Sequence, residues 1–141
     1  SDFSYSDMTD KELDDYTFKL LKEATIKRKG GNEKVWVIES TPVSQTVIDE
    51  TGYIKSILYV RKDNYVLTRA KFYLKKAKRI KYMDVRKLEE IDGIWVAMTT
   101  TMTTKQGKRT LHKTVLSNSN VEINQDISDD MFTIRTIEKG L

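Results

Sequence analysis

The stretch 91-IDGIWVAMTTTMTTKQGKRTLHKTV-115 holds a turn, an apolar strand, a second turn and a second strand, and its reading decides the fold. Asp92-Gly93 between two apolar stretches is a strong hairpin signal, because a type I′ turn needs positive φ at both central residues. Alternate strand residues face opposite ways, so Ile94, Val96, Met98, Thr100 and Met102 share one side, opposed to Trp95, Ala97, Thr99, Thr101 and Thr103. Such a greasy side is either a core or a surface that grips something apolar.

Working outward, five of the six glycines fall where strands should turn: Gly30 and Gly31 in RKGGN, Gly52 in ETGY, Gly93, and Gly107 in KQGK; Gly140 ends the chain. Lys62-Asp63-Asn64 marks a further turn, and Pro42 closes the strand KVWVIEST because proline donates no ladder hydrogen bond. Between these points lie segments rich in Val, Ile, Tyr, Phe, Trp and Thr, near 16–28, 33–42, 54–62, 65–75, 79–91, 93–104, 107–118 and 131–137. The spacing predicts a mainly β (α+β) chain, a curved antiparallel meander with one or two short helices. Thr9 with Glu12 forms a capping box for a short helix, and Ser128 with Asp129 and Asp130 marks another start. A longer helix through DDYTFKLLKEA is the competing reading of that segment, since its Leu and Lys favour helix.

The 141 residues make one domain, 1–141, without linker or repeat, and large enough to bury a core unaided. There is no cysteine, hence no disulfide and no thiolate metal site. No apolar run approaches the roughly 20 residues of a membrane-spanning helix. The N-terminus, SDFSYSDMTDKELDD, is acidic where a secretory leader is basic and then apolar, so the leader of an exported form lies upstream of Ser1. The net charge is +4, but 75-KKAKRIKYMDVRK-87 alone carries seven Lys or Arg against one Asp, leaving −2 for the rest. A local basic patch therefore needs explaining rather than a basic protein.

Face assignment extends the greasy side. Val66, Thr68, Ala70, Phe72 and Leu74 share one side of their segment, and Ile54, Leu58 and Val60 share another with Ser56. A sheet with a bare apolar face is unstable in water, so something must cover it: barrel closure, a partner chain, further residues, or a ligand. The candidate apolar lining is Trp36, Leu58, Val60, Val66, Phe72, Leu74, Ile94, Val96, Met98 and Met102, with the methionines suited to irregular cargo. The candidate docking patch for anionic headgroups is Lys75, Lys76, Lys78, Arg79 and Lys81, against the plainer reading of a solvated hairpin end. Tyr73 and Tyr82 among these cations allow base stacking, yet no nucleic-acid motif accompanies them.

Catalysis has little to stand on. His112 is a lone histidine on a Thr-rich strand, and Asp14-Asp15 and Asp129-Asp130 are adjacent acids of loops or helix starts rather than a separated acid–base pair. No metal-ligand spacing, nucleophile elbow or phosphate-cradling glycine loop is present, so neither a cofactor nor an enzyme is expected.

The residues SDFSYSDM, 52-GYIKSILYVRKDN-64 leading to KFYL, RIKYMDVRKLEEIDGIWVAMTTTM and DDMFTIRTIEKG resemble the C-terminal part of the bacterial outer membrane lipoprotein-sorting proteins, relatives of the LolA and LolB carriers. The resemblance covers nearly all of the chain through diffuse structural signatures. It implies an incomplete LolA-like antiparallel β-barrel, or half-barrel, with an apolar cavity lidded by helices. It further implies a periplasmic setting, lipid or lipoprotein acyl chains as cargo, and association with an inner-membrane exporter of the resistance-nodulation-division type. On this reading the chain begins in mid-fold, and its unpaired edges favour self-association. Two functions are expected in order: a non-enzymatic carrier or chaperone sheltering acyl chains on the concave apolar face of an open β-barrel, and an interaction module binding an anionic polymer such as nucleic acid, or an acidic protein, through the basic hairpin 75–87.

Overall fold

The computed structural model describes residues 13–118. Leu13–Asp15 form a single 3-10 turn, and the described residues then build seven strands: β1 (Tyr16–Arg28), β2 (Gly31–Pro42), β3 (Tyr53–Arg61), β4 (Leu67–Leu74), β5 (Arg79–Ile91), β6 (Ile94–Gln106) and β7 (Arg109–Ser117). They lie in one sheet in sequence order, each antiparallel to the next, with β1 and β7 at its edges. This is the open antiparallel meander that the turn residues and alternation predict.

Local chemistry sets most of the boundaries. Asp92 and Gly93 both adopt positive φ, 52° and 80°, as the tight β5–β6 turn demands. In the β3–β4 connection Asn64 Oδ1 accepts from the Val66 amide at 3.1 Å, an Asx turn that holds Tyr65 at φ 60°. Pro42 is the last residue of β2. The helical reading of DDYTFKLLKEA fails because β1 pairs with β2 along its whole length, and a tertiary ladder outweighs weak helix propensity. The expected elements near residues 9–12, 128–131 and 131–137 lie outside the described residues.

Gly52 does not join two strands directly. It terminates a seven-residue helix, α1 (Gln45–Thr51), in left-handed conformation at φ 78°, and its amide donates to the Ile48 carbonyl at 2.7 Å. Ser44 caps the other end, its side chain accepting from the Val47 amide. So short a helix leaves too few turns for a 3.6-residue pattern to show in the sequence.

Ile54 also departs from expectation. A register shift between Tyr53 and Lys55 turns Ile54 outward, 46% exposed, and sends Tyr53 into the core in its place. Tyr53 stacks on Phe72 with ring centroids 4.9 Å apart, and both pack with Ala70 and Met102. Leu58, Leu67, Leu74 and Met83 flank this cluster. A second cluster, Ile26, Val35 and Val37, is flanked by Ala24, Ile57 and Tyr59.

Met102 has no exposed surface. Truncating it removes buried methylenes and leaves a cavity that close-packed neighbours fill only in part. Met102→Ala is expected to lower unfolding free energy by about 2–5 kcal/mol, read from urea titration followed by circular dichroism.

Candidate functional site

Cross-strand pairing defines what each face of the sheet presents. One row runs across all seven strands without interruption: Leu20 opposes Ile38, Ile38 opposes Leu58, Leu58 opposes Ala70, Ala70 opposes Met83, Met83 opposes Met102, and Met102 opposes Thr114. Directly opposed residues project to the same side, so six apolar side chains and one threonine line a single stripe. The neighbouring row on that side is more polar, with Phe18, Ser40, Ser56, Phe72, Lys81, Thr104 and His112 in register.

The lining residues expected from the sequence divide by burial. Phe72, Met98 and Met102 are buried, whereas Trp36, Leu58, Val60, Val66, Leu74, Ile94 and Val96 are half-buried. Trp36 opposes Val60 next to the apolar row, and its indole lies against Tyr65 with centroids 5.8 Å apart. Tyr65, 75% exposed, so shields one face of Trp36. Val66 lies in the turn before β4. Register shifts around Lys87 interrupt the pairing before Ile94 and Val96, so these two are not in line with Met102 by an unbroken ladder.

Sequence reading missed Ile38, Met83 and Tyr53. It also missed that the opposite face has an apolar centre, although Val35 and Val37 alternate with Trp36 and Ile38 in one segment, the pattern of a strand buried on both faces. Over this second cluster lies an ion network. Arg28 donates to Asp84 at 2.9 Å and lies 3.5 Å from Glu33; Arg69 reaches Asp84 at 3.3 Å, and Thr68 donates to Glu33. Arg28 is on β1 and Asp84 on β5, four strands apart, or about 19 Å on a flat sheet. Two side chains cannot bridge that distance, so the sheet curls toward the ion-network face at this end. Arg61 of β3, 5.9 Å from the Trp95 ring of β6, marks the same curl.

The expected docking patch is divided. Lys76 and Lys78 are exposed at the β4–β5 turn, with Lys78 at φ 52°. Lys75 pairs with Asp49 of α1 at 2.8 Å. Lys81 lies on the apolar-row side, its Nζ 3.4 Å from the Tyr53 hydroxyl and 5.6 Å from that ring. Arg79 opens β5, half-buried. His112 is exposed on β7. Asp14 and Asp15 sit in the 3-10 turn, and Asp129 and Asp130 are outside the described residues. Among the described residues, no three His, Cys, Asp or Glu gather as a metal site, and no helix is long and apolar enough to cross a membrane.

A family model described as "Uncharacterized protein" matches residues 1–139. The chain is similar to three solved structures. A DUF1329 family protein from Desulfovibrio piger is 30% identical with a TM-score of 0.69, over 94% of this chain and 51% of that one. An outer membrane lipoprotein-sorting protein domain from Vibrio parahaemolyticus is 23% identical with a TM-score of 0.71, over 98% and 55%. A LolA superfamily protein from Nitrosomonas europaea is 24% identical with a TM-score of 0.58, over 86% and 50%. The chain thus spans about half the length of each of these structures. No curated protein matches it.

The Lys75–Asp49 pair yields a pH test. The hydrogen bond from Lys75, then that from Gln45, hold the Asp49 carboxyl below its ordinary range. A depressed carboxylate pKa means the tether of α1 to the β4–β5 turn is complete above the ordinary carboxylate pKa and lost as pH falls through the lower, folded value. In an NMR titration Lys75→Gln is expected to move the Asp49 midpoint upward, and an unchanged midpoint would contradict the pair.

Proposed function

On the premise that this chain belongs to the family matched over residues 1–139 and has the LolA-like fold of the outer membrane lipoprotein-sorting proteins, we propose that it is a non-enzymatic carrier of lipid or lipoprotein acyl chains. The supporting observation is the apolar row from Leu20 through Ile38, Leu58, Ala70 and Met83 to Met102. An acyl chain has no polar groups to satisfy and is held by burial, at about 0.8 kcal/mol per CH₂. A stripe of unreactive apolar side chains is sufficient for that task. Half-buried Leu58, Val60, Leu74 and Trp36 surround a centre kept low by Ala70, Ser40 and Ser56. Transfer then follows differences in apolar burial between donor, carrier and acceptor, with no chemical step.

In this reading the protein works in the periplasm, between an inner-membrane exporter of the resistance-nodulation-division type and a second acceptor. The alternative module, binding an acidic partner through 75–87, has less support because Lys75 and Lys81 are engaged elsewhere. Charge reversal at Lys75, Lys76, Lys78 and Arg79 is expected to leave cargo bound, and loss of all binding would favour the module.

Native mass spectrometry of protein purified gently from cells tests the carrier directly. Lipid or lipopeptide is expected to co-purify and to fall at least about tenfold in Leu58→Asn/Met83→Gln, with the far-ultraviolet spectrum retained. Shortening an acyl probe by two carbons is expected to weaken binding by roughly tenfold. A protein that is reproducibly empty and takes up no hydrophobic dye would overturn the proposal.

A further inference from the structure

On the side opposite the apolar row, β4 to β7 carry a second row in strict register: Lys71 opposes Tyr82, Tyr82 opposes Thr103, and Thr103 opposes Lys113. Above and below it stand Arg69 and Lys105. Lys71 Nζ lies 6.0 Å and Lys105 Nζ 5.6 Å from the Tyr82 ring, so one phenol is flanked by two ammonium groups. With Arg86, Thr101 and Thr110 these residues line a shallow depression of about 420 Å³. Five cations therefore stand around one carboxylate, Asp84, which is already shared among Arg28, Arg69 and Arg86. Among the described residues no carboxylate pairs with Lys71, Lys105 or Lys113.

We infer that this face of β4–β7 docks on the phosphates of an anionic phospholipid bilayer. The unpaired ammonium groups, Lys71 on β4, Lys105 on β6 and Lys113 on β7, supply charge complementarity, and their spread over this face matches a two-dimensional array of headgroups. A single nucleic-acid strand fits less well, since it needs aromatic faces open to bases, and the Tyr82 ring is flanked by Lys71 and Lys105. The headgroup row and the apolar row lie on opposite faces, so docking does not itself cover the apolar row. The inference adds to the carrier reading a surface on which cargo exchange would take place, but its test does not depend on cargo.

Co-sedimentation of the whole chain with vesicles of phosphatidylglycerol, and separately of phosphatidylcholine, tests it. Wild type is expected to bind the anionic vesicles and not the neutral ones, with affinity falling as salt rises. Lys71→Gln/Lys105→Gln/Lys113→Gln is expected to weaken binding on the order of 100-fold, each lysine contributing about fivefold. Lys19→Gln/Lys22→Gln/Lys34→Gln removes the same charge from β1 and β2 and is expected to change binding by less than about threefold. Equal loss in both triple variants, equal binding to both vesicle types, or binding to oligo(dT) tighter than to anionic vesicles would overturn the inference. Lipid content by native mass spectrometry is expected to be unchanged in the first triple variant, so an empty carrier and a failed docking face give different results.

Discussion

Strand register is the constraint on which both faces depend. Side chains alternate with a period of two, so a one-residue slip at any of the six pairings would carry an apolar row to the wrong side for every strand beyond it. Several devices hold the register in place. The Asp92-Gly93 turn fixes β5 on β6, the Asn64 Asx turn fixes β3 on β4, and capped α1 sets the spacing from β2 to β3. The shifts that do occur, at Leu20/Lys22, Tyr53/Lys55, Tyr59/Val60, around Lys87 and at Thr104/Lys105, are local and let the ladder resume its pairing.

Those shifts also shape the sheet. A bulge increases the right-handed twist and bends the strand that carries it. Here the bending lets the β1–β2 tip fold over β4 and β5, so that Arg28 and Glu33 meet Asp84, Arg69 and Thr68 above the Val35–Val37 cluster. One end of the molecule thereby acquires a covered core without a second layer of strands. The opposite face retains its apolar row.

Much of the fold was legible because alternation, turn glycines and Pro42 all report local chemistry. The Thr-rich segment 93–104 is a strand with Met98 and Met102 buried, as its pattern indicates. Less legible were features set by distant pairing. Ile54 reads as core until β4 imposes a register shift, and nothing near Asp84 in the chain points to Arg28, 56 residues away. A helix as short as α1 leaves no periodic trace. The basic run 75–87 is contiguous in sequence, yet the strand alternation sends Lys81 and Tyr82 to different faces. Of its cations, Arg86 lines the depression with Lys71, Lys105 and Lys113, whereas Lys81 reaches Tyr53 on the other side, so the run does not form one patch.

The edges of this sheet carry a mechanical consequence. A closed barrel has a circumference fixed by strand number and shear, and it can admit a larger guest only by breaking hydrogen bonds. The ladder of the described residues, unclosed and ending at β1 and β7, is free of that condition. Its radius can relax through changes in coiling alone, so girth in a guest molecule would be met by the opening of a gap rather than by rupture of the wall.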